Sequence, residues 1–149
     1  MITLPLGSLF SGPGTTVLQE GELLTELFLP EPLPRTGSVY LKHCPRGSMD
    51  IAVVGVAVMV ALSPADSQLE ECRIGLGAVG PTPIRATKAE ELLRGKKASE
   101  LLVEEAAQKA GEESRPISDI RGSAEYRSQM VRVLTARALR MALERVHQG

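Results

Sequence analysis

The order of apolar and polar residues divides the chain into a strand-like part followed by a helical part. Residues 22–29, 37–42, 51–62 and 69–79 are apolar or alternating runs bounded by turn residues, which predicts four strands. The loop 63–68, SPADSQ, is short and polar, so the strands beside it are expected to pair as an antiparallel hairpin. The chain should therefore contain an antiparallel sheet.

The pattern of residues 69–79 also predicts which side chains of this strand face the core. The alternation slips at Glu70–Glu71, which indicates a β-bulge. Gly75 and Gly77 stand two residues apart, so one face of the strand is bare there and another group can approach closely. Charged residues of this strand are expected to point to solvent. The residues expected to point inward are Leu69, Cys72, Ile74, Leu76 and Val79.

After Pro83 the pattern changes from strand-like to helical. Thr87 and Glu90 have the spacing of a capping box, in which a hydroxyl and a carboxylate satisfy early backbone N–H groups. The helix that they begin is expected to be short and to end at Gly95.

Two longer helices are predicted after it. Ser99 is expected to cap a helix over 100–110 that Gly111 ends, and residues 124–146 have the period of an amphipathic helix. The predicted apolar stripe of the last helix is Met130, Leu134, Ala138, Met141 and Val146, with Arg127, Arg137, Arg140 and Arg145 on the solvated side. Strands followed by helices predict an α+β fold: an antiparallel sheet of three to four strands packed against a bundle of about three helices.

Composition adds constraints on the class of protein. Hydrophobic residues make up 43% of the 149 residues but aromatic residues only 3%, so the core must be aliphatic. Seventeen Lys and Arg residues balance eighteen Asp and Glu residues, so no basic field attracts nucleic acid. The longest apolar run has 12 residues, too short for a bilayer span, and no basic signal-peptide region opens the chain. A cytoplasmic protein with reduced thiols is expected.

Residues with reactive side chains do not form a recognisable catalytic group. His43 and Cys44 are two adjacent potential ligands, too few for a metal site, and a plain loop pair is the simpler interpretation. Ser48, like Ser8 and Ser11, lacks the GxSxG context of a nucleophile. Cys72 is expected to be an inert core thiol.

The loop between the second and third predicted strands is the exception. It places Lys42, Arg46 and Asp50 within nine residues, and two cations with a carboxylate can bind an anionic or hydrogen-bonding ligand. A plain charged hairpin loop explains the same residues and is the more frequent case. The residues alone leave both interpretations open.

The same loop begins a resemblance to a known family. The string SVYLKHCPRGSMDIAVVGVAV resembles the segment that opens the C-terminal domain of the flavoprotein subunit of molybdenum hydroxylases, the carbon monoxide dehydrogenase and xanthine dehydrogenase family. Residues 73–96 and 116–139 are similar to two further family motifs, in the same order. The first motif, aromatic-x-K-x-x-x-R-x-x-x-D-I-A, is met by Tyr40, Lys42, Arg46, Asp50, Ile51 and Ala52.

The resemblance implies a redox role that this chain shares with other polypeptides. It makes Lys42, Arg46 and Asp50 candidate neighbours of the isoalloxazine of FAD. It implies an N-terminal flavin-binding half, an iron–sulfur subunit and a molybdopterin subunit as partners, with no activity of this chain alone. Residues 1–36 are then a connector from the flavin-binding half, and residues 37–149 are the domain.

Two questions stay open at this stage. A stand-alone, non-enzymatic protein-interaction module on the same fold is the alternative function, since a fold does not fix a function. Arg121 and Arg127 lie in the third motif, where either can form an ion pair or meet a neighbouring subunit. The ion pair is the favoured interpretation.

Overall fold

The computed structural model describes residues 1–46, 50–65 and 67–148. It contains a short 3-10 turn, six strands and three helices within these ranges. In chain order they are the turn Leu6–Ser8, β1 (Phe10–Gly12), β2 (Thr15–Thr16), β3 (Thr36–His43), β4 (Val54–Leu62), β5 (Leu69–Gly77), β6 (Ile84–Arg85), α1 (Thr87–Leu93), α2 (Glu100–Glu113) and α3 (Ala124–Gln148).

Strands β3 to β6 form an antiparallel sheet in sequence order. The hairpin between β4 and β5 is closed by the N–H of Ser63, which donates to the carbonyl of Gln68 at 2.8 Å. The pairing slips where Ala61 faces Glu71 but Leu62 faces Leu69, which leaves one extra residue on β5. The predicted hairpin and bulge are therefore confirmed, although Asp66 of the hairpin loop lies outside the described residues.

The helices cover one face of this sheet. α3 packs on β3 and β4, α1 packs on β5, and α2 lies against both of the other helices. Alternate residues of β4 point into this layer, so a run of valines supplies much of an aliphatic core. The closest approach is at Gly37, where an added Cβ would lie 2.0 Å from the carbonyl oxygen of Ala142. The predicted α+β architecture is confirmed.

Several details of the strand prediction are wrong. Residues 22–29 form no strand: their backbone pairs with no other segment among the described residues, and their large apolar side chains are exposed. β4 begins at Val54 rather than at residue 51, since the three preceding residues belong to the loop. β6 was not predicted: it has two residues, and the prolines at 81 and 83 obscured it.

The capping box predicted for the first helix is also wrong. No side chain of Thr87 or Glu90 caps α1. The carboxylate of Glu113, at the far end of α2, instead accepts hydrogen bonds from the backbone N–H groups of Lys88 and Ala89, each at 3.1 Å. A residue distant in sequence therefore satisfies the orphan donors of this helix.

Glu90 contacts the edge of the sheet instead. Its buried carboxylate accepts from the N–H of Ile74 at 2.8 Å and from two guanidinium nitrogens of Arg85 at 2.6 and 2.8 Å. This fork holds α1 against β5 and β6. A buried carboxylate needs such partners to offset its loss of hydration.

The second helix begins as predicted but ends later. The hydroxyl of Ser99 accepts from the N–H of Leu102 at 3.2 Å, which confirms the cap. Gly111 does not end the helix, which continues to Glu113. An added Cβ at Gly111 would lie 3.3 Å from the carbonyl oxygen of Ser128, so the glycine permits a close approach of α2 and α3.

The third helix has a different apolar stripe from the predicted one. Met141 is exposed, and Arg127, predicted on the solvated side, is buried. Arg140 and Arg132 form ion pairs with carboxylates of α2, which is ordinary for a helix surface. The residues of α3 that are fully or almost fully buried are Arg127, Val131, Leu134, Thr135, Ala136, Ala138, Leu139, Ala142 and Val146.

Candidate functional site

The loop between β3 and β4 begins and ends at a pair of hydrogen-bonded strands. The N–H of Val53 donates to the carbonyl of His43 at 2.9 Å, which closes the base of the loop. The ammonium of Lys42 donates to the carbonyl of Asp50 at 2.8 Å. His43 is the last residue of β3, whereas the sequence placed it in the loop. Residues 47–49, including Ser48, lie outside the described residues.

Asp50 shapes this loop from within. One carboxylate oxygen accepts from the N–H of Arg46 at 2.8 Å, and the other accepts from the N–H of Ile51 at 3.0 Å. The backbone N–H of Arg46 is the main reason that the pKa of Asp50 lies below its usual value, since a hydrogen bond favours the charged form. The ionised carboxylate is therefore a structural part of the loop.

Arg46 presents its guanidinium to solvent. Its side chain is 82% exposed against 11% for that of Asp50, and the two groups approach only to 3.5 Å. A long, exposed ion pair contributes little to stability. The structure thus brings all three candidate residues together, and Arg46 is the one whose charged group is most available to a ligand.

Two glycines lie next to Lys42 on the neighbouring strands of the sheet. Lys42 faces Gly55 across β3 and β4, and Gly55 faces Gly77 across β4 and β5. Tyr40, 63% exposed, leans over this strip so that an added Cβ at Gly55 would lie 2.9 Å from the tyrosine hydroxyl. The glycines at 75 and 77 do leave one face bare, as the sequence predicted.

Tyr126 is a member of this region that sequence reasoning did not select. Its hydroxyl lies 3.0 Å from Nε2 of His43, and the two rings meet edge to face with centroids 6.0 Å apart. The hydroxyl of Ser123 accepts from the N–H of Tyr126 at 3.1 Å, which places the tyrosine in the first turn of α3. The third family motif contains Tyr126, but its spacing alone gave no hint of His43.

An ion-pair cluster supports the same end of the domain. The carboxylate of Asp119 contacts the guanidinium groups of both Arg121 and Arg127, so the favoured ion-pair interpretation is confirmed for both. Arg127 also donates to the carbonyl of Ala78 at 3.5 Å, just after β5. Hydrogen bonds from Arg121 are the main reason that the pKa of Asp119 lies well below its usual range, and the hydrogen bond from Arg127 lowers it further.

The remaining candidates have structural environments. Burial raises the pKa of the Cys72 thiol to about 12, so it stays protonated, as the core-thiol interpretation requires. The thiol of Cys44 contacts the carbonyl of Arg46 at 2.8 Å. Across the part of the chain that the structure describes, no three His, Cys, Asp or Glu side chains gather closely enough to hold a metal ion. No helix within 1–46, 50–65 and 67–148 combines the length and apolar character needed to cross a bilayer.

Together the fold and the loop define a small α+β domain with an open, cation-bearing surface at one end of its sheet. The chain belongs to the CO dehydrogenase flavoprotein C-terminal domain family, whose model matches residues 39–142. The resemblance inferred from the three motifs is therefore confirmed.

Relatives and solved structures agree with this assignment. The chain is 36% identical to the glyceraldehyde dehydrogenase medium chain of Sulfolobus acidocaldarius, covering 88% of this chain and 45% of that protein. It is 28% identical to a putative xanthine dehydrogenase FAD-binding subunit of Escherichia coli, covering 94% and 48%. A solved carbon monoxide dehydrogenase from Hydrogenophaga pseudoflava matches with a TM-score of 0.86 at 35% identity, covering 93% and 47%. The chain spans about half the length of the relatives it matches.

Proposed function

We propose that this chain forms the C-terminal part of an FAD-dependent electron-transfer subunit in a molybdenum hydroxylase-type oxidoreductase. The observation that carries the proposal is the family match over residues 39–142, combined with the exposed cationic loop. The chain helps to close the flavin site and has no activity of its own. FAD is the cofactor, because the related xanthine dehydrogenase subunit is described as FAD-binding.

Lys42 and Arg46 are the proposed flavin contacts. Lys42 pairs with Gly55, which pairs with Gly77, so the neighbouring strands carry no side chains at these positions and leave room for a ring system. Arg46 lies in the loop that follows β3. FAD supplies electron transfer when bound, and nearby cations favour an anionic reduced ring. Asp50 belongs to the proposed site through its two backbone hydrogen bonds, which fix the position of Arg46.

The exposure of Arg46 supports a site with two walls. Cofactor sites usually bury most of their ligand, whereas this guanidinium is 82% exposed. The surface described above is thus one wall, and a flavin-binding half supplies the other. Residues 1–36 are the connector to that half and residues 37–149 the domain, with an iron–sulfur subunit and a molybdopterin subunit as further partners in the cytoplasm.

Flavin titration tests the proposal. The medium chain of carbon monoxide dehydrogenase from Hydrogenophaga pseudoflava is 33% identical to this chain over 143 matched residues. The N-terminal half of that medium chain is co-expressed with this chain. We expect FAD retention that needs both halves and weakens about tenfold in Arg46→Ala, through loss of one charge-assisted contact. Arg137→Ala, an exposed arginine of α3, serves as the matched control and should retain FAD.

Two outcomes contradict parts of the proposal separately. Retention that is unchanged in Arg46→Ala removes the loop from the flavin site but leaves the family function in place. A pair that associates and holds no FAD favours the alternative, a stand-alone interaction module on the same fold.

A further inference from the structure

The third family motif contains a tyrosine that reaches the strand end beside the candidate flavin loop. Tyr126 lies in the first turn of α3, and its hydroxyl is 3.0 Å from Nε2 of His43. A phenol both donates and accepts, so this hydrogen bond can form with either tautomer of the neutral imidazole. The contact spans 83 positions of the sequence and connects α3 to the last residue of β3.

The residues around Tyr126 hold its backbone and its ring in place. The turn before α3 is closed by two backbone hydrogen bonds between Asp119 and Gly122, each at 3.1 Å. An added Cβ at Gly122 would lie 3.1 Å from Cδ1 of Tyr126, so the ring packs closely on this turn. The hydroxyl of Ser123 accepts from the N–H of Tyr126 at 3.1 Å, and the following residue, Arg127, is buried. The position of the tyrosine hydroxyl is therefore set by several separate contacts.

The strand end at His43 is a place where the sheet gains from such a contact. β3 is an edge strand with a strand neighbour on one side only, and the ends of edge strands open more readily than strand centres. The carbonyl of His43 accepts from the N–H of Val53 at 2.9 Å, so β4 holds its backbone while α3 holds its ring. Lys42, one residue earlier, points to the other face and donates to the carbonyl of Asp50.

Arg46 depends on this strand end for its orientation. Only Cys44 and Pro45 separate it from His43. The N–H of Arg46 donates to the carboxylate of Asp50 at 2.8 Å, and its carbonyl accepts from the thiol of Cys44 at 2.8 Å. Because these two contacts lie within the loop, the orientation of Arg46 relative to the sheet follows from where the strand ends.

We propose that Tyr126 is a positioning residue for the flavin site: it holds His43 and thereby fixes the strand end that carries Lys42 and Arg46. This inference rests on the proposed function and deepens it, because it gives the third motif a role at the same site. Groups that are already fixed lose less conformational freedom when a ligand binds. Removing the hydroxyl should therefore weaken FAD binding, although the hydroxyl contacts His43 rather than a ligand.

Hydrogen exchange on the full chain, without flavin, tests the first step. The amide of Val53 reports on the strand end, because it donates to the carbonyl of His43. We expect Tyr126→Phe to speed its exchange at least about threefold, since the strand end opens more often. Tyr40→Phe is the matched control, because the other tyrosine hydroxyl lies beside Gly55 on the opposite face of β3. Unchanged exchange in Tyr126→Phe, or equal changes in both variants, overturns the inference.

The properties of the bound flavin test the second step. In the flavin-containing complex, purified from the organism that encodes the chain, Tyr126→Phe should raise the dissociation constant for FAD about three- to tenfold, the usual contribution of one hydrogen bond. The midpoint potential should become more negative, because cations that are held less firmly stabilise the anionic reduced ring less. The double variant with His43→Leu should lose no more affinity than Tyr126→Phe alone, since both substitutions break the same contact.

The outcomes separate this inference from the proposed function. Additive losses in the double variant overturn the inference, and so does an unchanged potential in Tyr126→Phe when Arg46→Ala changes it. Both of these results leave the proposed function in place. If neither Tyr126→Phe nor Arg46→Ala alters FAD binding, the inference fails together with the role of the loop. A purified complex without flavin overturns both the inference and the proposed function.

Discussion

A single buried arginine fastens the last helix to the end of the sheet. Arg127 is 3% exposed and reaches both the carboxylate of Asp119 and the carbonyl of Ala78. The N–H of Asp119 donates to the carbonyl of Gly122 at 3.1 Å, so the carboxylate sits on a closed turn. The guanidinium therefore joins α3 to the turn that precedes it and to the end of β5, which lies 49 residues earlier in the chain.

Removing this guanidinium should destabilise the fold. We expect Arg127→Ala to lower the free energy of unfolding by about 2–4 kcal/mol, because the carbonyl of Ala78 and the carboxylate of Asp119 lose a buried donor and a cavity remains. Urea unfolding at neutral pH measures it. Arg137→Ala, on the exposed side of the same helix, should change the free energy by less than about 0.5 kcal/mol. Similar losses in both variants would contradict the anchoring role of Arg127.

The sequence could not reveal this burial because arginine is ordinarily a surface residue. Arg127 lies four residues before Val131 and seven before Leu134, so it occupies the buried stripe by position. Assigning it by polarity moved the predicted stripe toward Met141, which is exposed. Lys42, Arg46 and Asp50 were found because their local spacing and the family motif coincide, whereas Tyr126 meets His43 only through the tertiary fold.

Asp50 makes the candidate loop sensitive to acid. Its pKa is lowered from 3.8, so the carboxylate stabilises the loop above that value, and this stabilisation is lost as pH falls through the folded-state pKa. We expect the amide resonance of Arg46 to titrate with a midpoint below 3.8, measured by NMR. Asp50→Asn should remove the transition. A midpoint at or above 3.8 would show that the carboxylate does not bind this amide.

At the scale of elements, the start of α1 depends on the end of α2. Seven-residue helices are marginal by themselves, so the partners of their first N–H groups matter. Glu113, rather than Thr87 or Glu90, accepts from early N–H groups of this helix, those of Lys88 and Ala89. Local spacing identified a correct helix start but the wrong cap, because a carboxylate 23 residues after Glu90 replaces the local one.

Replacing each of the two adjacent glutamates of α2 in turn distinguishes the distant cap from the local capping box. Glu113→Ala should lower the free energy of unfolding by about 0.5–2 kcal/mol, the usual effect of losing a helix cap, measured by urea unfolding. Glu112→Ala, which loses only exposed contacts with Lys109 and Gln108, should have a clearly smaller effect in the same measurement. A larger effect from Thr87→Ala than from Glu113→Ala would instead support the local capping box.

The packing of α3 on β3 depends on one residue without a side chain. An added Cβ at Gly37 would lie 2.0 Å from the carbonyl oxygen of Ala142 and 2.9 Å from Val146, so α3 must move away. We expect Gly37→Ala to cost at least about 1–3 kcal/mol in thermal or urea unfolding.

Gly75 supplies the matched control for this prediction. An added Cβ there would lie 3.8 Å from that of Ala57, an ordinary contact on the open face. Gly75→Ala should therefore have a small effect on unfolding. An equal loss of unfolding free energy in both variants would contradict the prediction, since it would show that the effect of Gly37→Ala does not come from its contact with α3.

At the scale of the whole molecule, the order of strands and helices predicted the architecture, but the apolar pattern of residues 22–29 predicted a strand that the described residues do not form. The sheet and three helices bury their own core, so the residues that form it could be recognised from their periods. Residues 22–29 have the same apolar character but pair with no other segment among the described residues. A strand that pairs with another polypeptide region has the same local pattern as one that pairs within the domain.

Because the domain buries its own core, we expect residues 1–33 to add little to the stability of the isolated chain. Deleting residues 1–33 should change Tm by less than about 2 °C, because β1 and β2 pair only with each other and, within the described residues, 23–29 take part in no backbone hydrogen bond. Arg35 marks the boundary: its guanidinium donates to the carbonyl of Ser63 at 2.8 Å. Deletion of residues 1–41 removes most of β3 and should abolish cooperative unfolding. Differential scanning calorimetry measures both deletions. A large drop in Tm after the shorter deletion would mean that residues 1–33 pack on the domain and would contradict this prediction.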